Sequence, residues 1–359
     1  MWADCEVRFF VRLAENRKEI LCVFPKTLDN MQARREHRIV RSCLNNLVIR
    51  VMYIMSKKSI LGMPPKYFYT VCAFLAIGII IGSFCDFNIS KTLSNQTAVG
   101  DFFQHYGNIV SHFMYPIAGI CIFKGIRKKG KRFHLLSNGV LVFSLFWTFY
   151  SFLDTGGKYL RKDYGYVAGE SSSFPLALTC LTWLALIALV TFIAYKIIDD
   201  KEADRLIAIG SVILIAGMFS EYINEWLKVV GCRPRYRYLV TLDDPISEFK
   251  NWWEMTPYLK DESSFKSWPS GHMTKATIMF ALPMLTTVLK NKKEWWKYVG
   301  FGFAVIWILL LGYNRIHMNA HFLTDVCFGV LITYSIYALT YRFVFSALSP
   351  VPVNTESAE

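Results

Sequence analysis

The sequence predicts an all-α protein that crosses a membrane many times. Of its 359 residues, 53% are hydrophobic and only 19% are charged, whereas a soluble domain carries about 25% charged residues. The mean hydropathy is +0.30. Apolar runs of about 20 residues, long enough to cross a bilayer as a helix, recur along the chain. Because a backbone in lipid must satisfy its own hydrogen bonds, we expect these runs to be helices.

We predict eight membrane spans. Their approximate bounds are Tyr67–Phe84, Asn108–Phe123, Leu135–Leu153, Pro175–Tyr195, Leu206–Leu227, Met273–Leu289, Tyr298–Tyr313 and Phe322–Phe345. The predicted organisation is a basic N-terminal extension (residues 1–54), two additional spans (55–133), a six-helix domain (134–346) and a short tail (347–359). The extension has no apolar run long enough to span and no signal-peptide pattern. It is either a cytoplasmic extension or a mis-assigned start upstream of Met55.

The formal net charge of +13 is concentrated in connecting loops and in the N-terminal extension. This distribution does not favour a nucleic-acid partner, which would require a basic face with interleaved aromatic residues. The loops Lys124–Arg132 and Lys290–Lys297, and the lysines that precede the first span, are separated by even numbers of crossings. They therefore share one side, which the positive-inside rule makes cytoplasmic, together with both chain termini.

Three short segments carry the candidate chemistry, and the predicted topology places all of them on the opposite, non-cytoplasmic side. Lys228–Arg235 reads Lys, six residues, Arg, and Pro269–His272 reads Pro-Ser-Gly-His. Arg315–Asp325 reads Arg, five residues, His, three residues, Asp. Four residues apart on a helix, His321 and Asp325 lie on one face, so the carboxylate can hold an imidazole N–H. That contact makes the other ring nitrogen of His321 a better nucleophile.

Three cations in these segments, Lys228, Arg235 and Arg315, are suited to bind a phosphoryl group. Such a group spreads negative charge over its oxygens during transfer, and cationic donors stabilise that charge without a metal. Arg233 is a possible additional helper. No Cys or His cluster has the spacing of a metal site, so we predict neither a metal nor a cofactor.

The Pro-Ser-Gly-His segment opens the sixth predicted span. A Ser270 hydroxyl and free backbone N–H groups at a helix N-terminus favour anion binding. Gly271 lets the backbone approach a phosphate closely. His272 is placed to protonate a leaving oxygen as general acid and then to activate water as general base.

The order and spacing of the three segments resemble the tripartite signature of the type 2 phosphatidic acid phosphatase family. That family removes phosphate from membrane lipids through a phosphohistidine and is related to vanadium haloperoxidases. The resemblance covers roughly Leu135–Phe345. It implies His321 as nucleophile, His272 as acid/base and Asp325 as the partner of His321. It also implies that phosphate is bound by Lys228, Arg235, Ser270, Gly271 and Arg315. The sequence departs from the family pattern at Tyr236, where Pro is usual, and at Asn314, where Ser is usual.

The resemblance implies an integral membrane phosphatase that hydrolyses a lipid phosphate or diphosphate on the non-cytoplasmic face, without a metal. Undecaprenyl pyrophosphate is the favoured substrate, because this diphosphate carrier is released on that face during envelope assembly. Phosphatidic acid and phosphatidylglycerophosphate are the competitors. Two alternatives remain open: a phosphotransferase that passes the phosphate to a sugar or lipid acceptor, and a non-catalytic lipid-binding membrane protein.

Overall fold

A computed structural model of the protein describes residues 59–163, 174–254 and 263–347. Within these ranges the secondary structure is almost entirely helical, with two isolated β-bridges, Ile60 to Met63 and Ile198 to Leu289. The predicted all-α polytopic fold class is thereby confirmed, and the chain is a multi-pass membrane protein. The predicted N-terminal extension and nearly all of the predicted tail lie outside the described residues.

Thirteen α-helices follow one another in the described ranges. They are α1 (Pro65–Leu93), α2 (Ala98–Tyr106), α3 (Ile109–His112), α4 (Met114–Lys128), α5 (His134–Phe152), α6 (Lys158–Asp163), α7 (Phe174–Ile197), α8 (Ala203–Gly231), α9 (Tyr236–Leu239), α10 (Gly271–Thr277), α11 (Leu282–Thr286), α12 (Trp296–His317) and α13 (Leu323–Ala347). Short 3-10 turns occur at Lys131–Phe133, Ser263–Phe265 and Ile278–Ala281, and a π turn at Leu153–Gly157.

Seven helical segments of the described part are long and apolar enough to cross a membrane, where the sequence predicts eight. They are Pro65–Leu93, Ala98–Lys128, Lys131–Phe152, Pro175–Ile197, Ala203–Leu239, Trp296–His317 and Leu323–Ala347. The difference lies in the predicted span Met273–Leu289, which is divided into α10, a 3-10 turn and α11. Pro283 explains the division, because proline lacks the N–H that a continuous helix needs and clashes with the preceding turn.

The divided segment still runs from one end of the helix bundle to the other. At its start, the Ser270 N–H donates to the carbonyl of Asp325 (3.0 Å). At its finish, the Asp199 N–H, just after α7, donates to the carbonyl of Val288 (2.8 Å). Together with the seven segments above, the described part of the chain therefore passes along the bundle eight times.

The two ends of the bundle differ in charge. We call the end that holds the Lys124–Arg132 and Lys290–Lys297 loops the basic end. These loops are joined there through the α7–α8 connection, by ion pairs from Lys128 to Asp200 (3.1 Å) and from Lys292 to Glu202 (2.7 Å). The opposite end, which we call the motif end, holds the three motif segments. The predicted segregation of basic loops from motifs is thus present in the fold.

The core lies between α4, α8 and α13, and small residues let these helices approach closely. Ile209, Val212 and Ile213 of α8 are fully buried. A methyl group added at Gly210 would lie 2.6 Å from the Ala118 carbonyl of α4, so glycine is needed at this crossing. Small residues at helix contacts are typical of membrane bundles, where close backbone packing replaces the hydrophobic driving force.

Candidate active site

The three motif segments meet at the motif end, where two long helices finish and two begin. Lys228 lies in the last turn of α8 and Arg315 in the last turn of α12. Ser270 directly precedes α10, and Asp325 lies in the first turn of α13. Because these four helix ends face the same side of the bundle, residues from distant parts of the sequence form one cluster.

His321 lies in the turn between α12 and α13 and is almost fully buried. Its Nδ1 is 2.6 Å from the backbone carbonyl of Ser267. A carbonyl can only accept, so Nδ1 carries the proton and Nε2 keeps a free lone pair. The predicted direct hydrogen bond to Asp325 is not formed, since Asp325 Oδ2 is 3.9 Å from the same nitrogen. The carbonyl of Ser267 therefore sets the tautomer of His321, a role that the sequence predicts for Asp325.

The Asp325 carboxylate is occupied by other donors. Its Oδ1 accepts from Arg233 Nη1 (2.6 Å), and its Oδ2 accepts from Ser267 Oγ (2.5 Å) and from the Phe322 N–H (2.8 Å). Asp325 thus fixes the residue whose carbonyl orients His321. It remains a partner of His321, but it acts through Ser267 and the turn that begins α13.

Arg233, predicted as a possible phosphate-binding helper, is instead a buried structural cation. Its side chain is 1% exposed and pairs with Asp325 (2.6 Å) and with Asp86 of α1 (3.0 Å). Its Nε donates to the Lys250 carbonyl (2.8 Å), and its guanidinium lies 4.3 Å from the centre of the Phe322 ring. With both edges engaged by carboxylates, Arg233 is not directed at a substrate.

The motifs do not predict Asp86, which is a further buried residue of this cluster. It is 2% exposed and binds Arg233 as well as the backbone N–H and the hydroxyl of Thr324. The first predicted span ends at Phe84, two residues before Asp86. A single acidic residue in the last turns of an apolar helix was the available signal, because such residues are costly unless they are paired.

The three predicted phosphate-binding cations have few negative partners. Lys228 Nζ lies 2.5 Å from Glu225 Oε1. Arg235 donates to the carbonyls of Ser263 and Lys266 (2.8 and 3.1 Å). Arg315, 2% exposed, makes only a long contact of 3.4 Å to Gln104 Oε1, and its Nε has no hydrogen-bond partner among the described residues. Buried cations with so little compensation favour an anion between them.

Burial lowers the pKa of His321 well below its usual value, and the charges of Arg235 and Arg315 lower it further. A lowered pKa favours the neutral ring. The free Nε2 lone pair is therefore retained at neutral pH and down to a pH below the ordinary titration range of histidine. This is the protonation state that a nucleophile requires.

The start of α10 provides further polar groups for an anion. Ser270 is fully buried, and its Oγ has no hydrogen-bond partner in the described part of the chain. A methyl group at Gly271 would lie 2.7 Å from Lys228 Nζ, so glycine allows the lysine to reach this helix start. His272 Nε2 lies 3.1 Å from the carbonyl of Gln104, which makes Nε2 the protonated nitrogen.

The short helix α2 covers this cluster, and the motifs do not predict it. Gln104 contacts both His272, through its carbonyl, and Arg315, through its side chain. Asn314, the departure from the family pattern, donates to the Gly100 carbonyl (2.8 Å) and so ties α2 to α12. His105 stacks on Tyr159 of α6 at 3.7 Å between ring centres. Residues outside the motif region therefore form part of the site.

Among the described residues, no group of three or more His, Cys, Asp and Glu side chains is arranged to hold a metal ion.

Tyr236, the second residue that departs from the family pattern, is buried at the start of α9. It packs against Phe87 and Phe322, with ring centres 5.6 and 6.2 Å away. It therefore supports the turn that carries His321.

Comparison with known families agrees with this geometry. Residues 205–348 match the model of the PAP2 superfamily, whose members are generally phosphatases. The matched range contains every predicted motif residue from Lys228 to Asp325, whereas Asp86 and Gln104 lie outside it. No curated protein and no solved structure shows significant similarity to the chain. The predicted resemblance is thereby confirmed over residues 205–348, which are similar to the PAP2 superfamily.

Proposed function

We propose that the protein is a metal-independent membrane phosphatase that hydrolyses a lipid phosphate or diphosphate through a phosphohistidine on His321. One observation carries the proposal: the cations Lys228, Arg235 and Arg315 gather around a buried, neutral His321 with little negative charge to compensate them. A substrate phosphate supplies the missing negative charge. The same cations stabilise the charge that develops on the phosphoryl oxygens.

The proposed reaction has two steps. In the first, Nε2 of His321 attacks phosphorus, the P–O bond to the leaving group breaks, and the leaving oxygen takes a proton from the imidazolium form of His272. In the second, water attacks phosphorus and gives a proton to His272, and the P–N bond breaks. Phosphate is released and His321 returns to its neutral form. The unpaired hydroxyl of Ser270 is available as a further donor to a phosphate oxygen.

The orientation of the bundle supports a reaction on the non-cytoplasmic face. The basic loops lie together at one end, which the positive-inside rule assigns to the cytoplasm, and the motif segments lie at the other. The proposed site therefore faces the extracellular or periplasmic side. The described chain starts and finishes at the basic end, where the Ser59 hydroxyl meets the Tyr341 hydroxyl at 2.9 Å.

A diphosphate is the favoured substrate, and Lys275 gives a reason beyond the orientation. Lys275 lies three residues after His272 on α10, so the two side chains lie on the same face of that helix. In a diphosphate, the leaving group next to the general acid is itself a phosphate. A fourth cation on that side would stabilise it. We therefore keep undecaprenyl pyrophosphate as the first candidate, ahead of phosphatidic acid and phosphatidylglycerophosphate.

The test is phosphate release by the purified protein in detergent with EDTA, for these three lipids in parallel. We expect EDTA-resistant release, fastest from the diphosphate, and loss of release in His321→Ala by at least about a thousandfold. Lys275→Gln should slow the diphosphate more than phosphatidic acid. Release that persists in His321→Ala would contradict the phosphohistidine. Phosphate recovered on an added sugar or lipid acceptor, and not in water, would favour the phosphotransferase alternative.

Gln104→Glu is expected to raise KM by roughly 10- to 100-fold. A carboxylate at this position would pair with Arg315 and compete with the substrate phosphate, and hydrogen bonds to charged groups are worth about 1.5–3 kcal/mol. The measurement is KM and kcat for the best lipid substrate. The matched control, Gln104→Met, keeps the length of the side chain without the acceptor and should leave KM unchanged or lower. Equal KM values for the Glu and Met variants would contradict competition at Arg315.

A further inference from the structure

A cavity lies away from the motif cluster, towards the basic end of the bundle. It is a groove of about 1200 Å³ between α4, α5 and α7. Its lining residues extend along α7 from Leu184 to Lys196, a distance of about 18 Å at 1.5 Å per helical residue. This is the length scale of one lipid acyl chain. The groove opens on the outer surface, since its lining residues Phe146 and Phe192 are 62% and 60% exposed.

The wall of the groove changes character along its length. Towards the middle of the bundle it is apolar, with Leu145, Phe149 and Ile187 among the lining residues. At the basic end five cations line it, Lys124, Arg127, Lys128, Lys196 and Lys290, with Asp200 as the one lining carboxylate in the described part of the chain. An apolar trough with a cationic mouth complements a molecule that has a hydrocarbon chain and an anionic headgroup.

The cations at the mouth are only partly compensated. Lys128 pairs with Asp200 at 3.1 Å. Lys124 donates to the carbonyls of Tyr195 and Ile198 (2.5 and 2.7 Å) and so completes the end of α7.

The other cations have weaker partners. Arg127 holds the side-chain oxygen of Asn138 (3.1 Å), which is neutral. Lys196 lies over the Phe192 ring, and the exposed Lys290 has no ion pair within the described residues. Arg127, Lys196 and Lys290 therefore present positive charge where a bilayer places its headgroups.

We propose that this groove binds an anionic glycerophospholipid, with one acyl chain between α5 and α7 and the headgroup phosphate among Arg127, Lys196 and Lys290. Cationic pockets between helices on the cytoplasmic side are suited to anionic headgroups. The bound lipid fills the space between α7 and the pair formed by α4 and α5, and so stabilises the bundle. The site is separate from the motif cluster and does not depend on the proposed hydrolysis.

The test compares thermal unfolding and native mass spectra of the whole protein in detergent, with phosphatidylglycerol or with phosphatidylcholine of the same chains. We expect retained phosphatidylglycerol and a higher Tm, and little effect of phosphatidylcholine. The variant Arg127→Gln/Lys290→Gln should weaken phosphatidylglycerol binding by about thirtyfold, or about 2 kcal/mol for two cations. The charge-matched control Lys131→Gln/Arg132→Gln removes two exposed cations of the same end that do not line the groove. It should bind normally.

A second pair of variants tests the apolar part of the groove. Ala188 lines the groove, whereas its neighbour Leu189 is exposed and does not. Ala188→Trp should therefore block lipid binding, and Leu189→Trp should not. Equal binding of phosphatidylcholine, equal losses in both charge variants, or a full Tm shift with glycerol phosphate alone would overturn the proposal. Each of these outcomes would mean that the groove does not select an anionic lipid.

Discussion

Replacing His272 by alanine is expected to stop the reaction after its first step, with the phosphate retained on His321. The second step needs a base that takes a proton from water, and in the proposed mechanism His272 is that base. The first step needs a proton from His272 only when the leaving group is poor. With an aryl phosphate such as p-nitrophenyl phosphate, whose leaving group departs unprotonated, His321 can still attack. The variant should therefore accumulate phosphoprotein while its turnover falls by about 10²–10⁴.

The measurement is phosphate bound to the denatured protein after mixing with the aryl phosphate, together with its stability to acid and alkali. A phosphoramidate on His321 is labile in acid and stable in alkali. His321→Ala and the double variant His272→Ala/His321→Ala should retain none. His134→Ala, which changes a histidine at the basic end, should turn over normally. Slow turnover by His272→Ala without retained phosphate would assign His272 to the first step alone. Retention in the double variant would remove His321 as nucleophile.

The residues that meet at the motif end were predictable because two independent patterns point to them. Apolar runs fix the number of crossings, and basic loops fix which helix ends share a side. Lys228, Ser270 and His321 are far apart in sequence, yet an even number of membrane crossings separates the helix ends on which they lie, so these ends share one side. The segment divided into α10 and α11 still counts as one crossing, because a proline that breaks a helix changes the shape of the segment but not the side on which the segment ends.

The partners of these residues were less predictable, because several are backbone atoms. His321 donates to the carbonyl of Ser267, and no side-chain pattern marks a carbonyl as an acceptor. The spacing of His321 and Asp325 suggested a direct pair that could form along a helix. In the fold His321 precedes α13, and Asp325 is engaged by Arg233, Ser267 and the Phe322 N–H.

The cover formed by α2 could not be derived from hydropathy either. A nine-residue helix that lies beside a span adds to the same apolar stretch, so Ala98–Tyr106 is merged with the second span by composition. One residue did carry a signal. Asn314 departs from the family pattern, and its side chain holds the Gly100 carbonyl of α2. The departure thus coincides with a contact to a segment that the family match does not include.

Replacing Arg233 by glutamine is expected to lower the free energy of unfolding by about 3–5 kcal/mol, the cost of removing one partner from a buried ion pair. The substitution would leave Asp86 and Asp325, both buried, close together without their shared cation. Without Arg233, Asp325 would no longer be held in place to support Ser267 and His321, so activity should fall as well. Thermal unfolding in detergent and phosphate release measure the two effects. If Arg233 instead bound the substrate phosphate, the substitution would raise KM and leave the stability unchanged.

A second substitution determines whether uncompensated buried charges cause the loss of stability in Arg233→Gln. Adding Asp86→Asn to Arg233→Gln removes one of the two unpaired carboxylates, so the double variant should be more stable than Arg233→Gln alone. Asp86→Asn by itself leaves Arg233 paired with Asp325 and should cost less than either. Arg205→Gln, which breaks an exposed pair with Glu202, should change stability by less than about 1 kcal/mol. If the double variant were the least stable of all, the destabilisation would arise from lost hydrogen bonds and packing, and not from uncompensated charge. The rescue by Asp86→Asn therefore tests whether Arg233 acts at this site by neutralising two carboxylates from different helices.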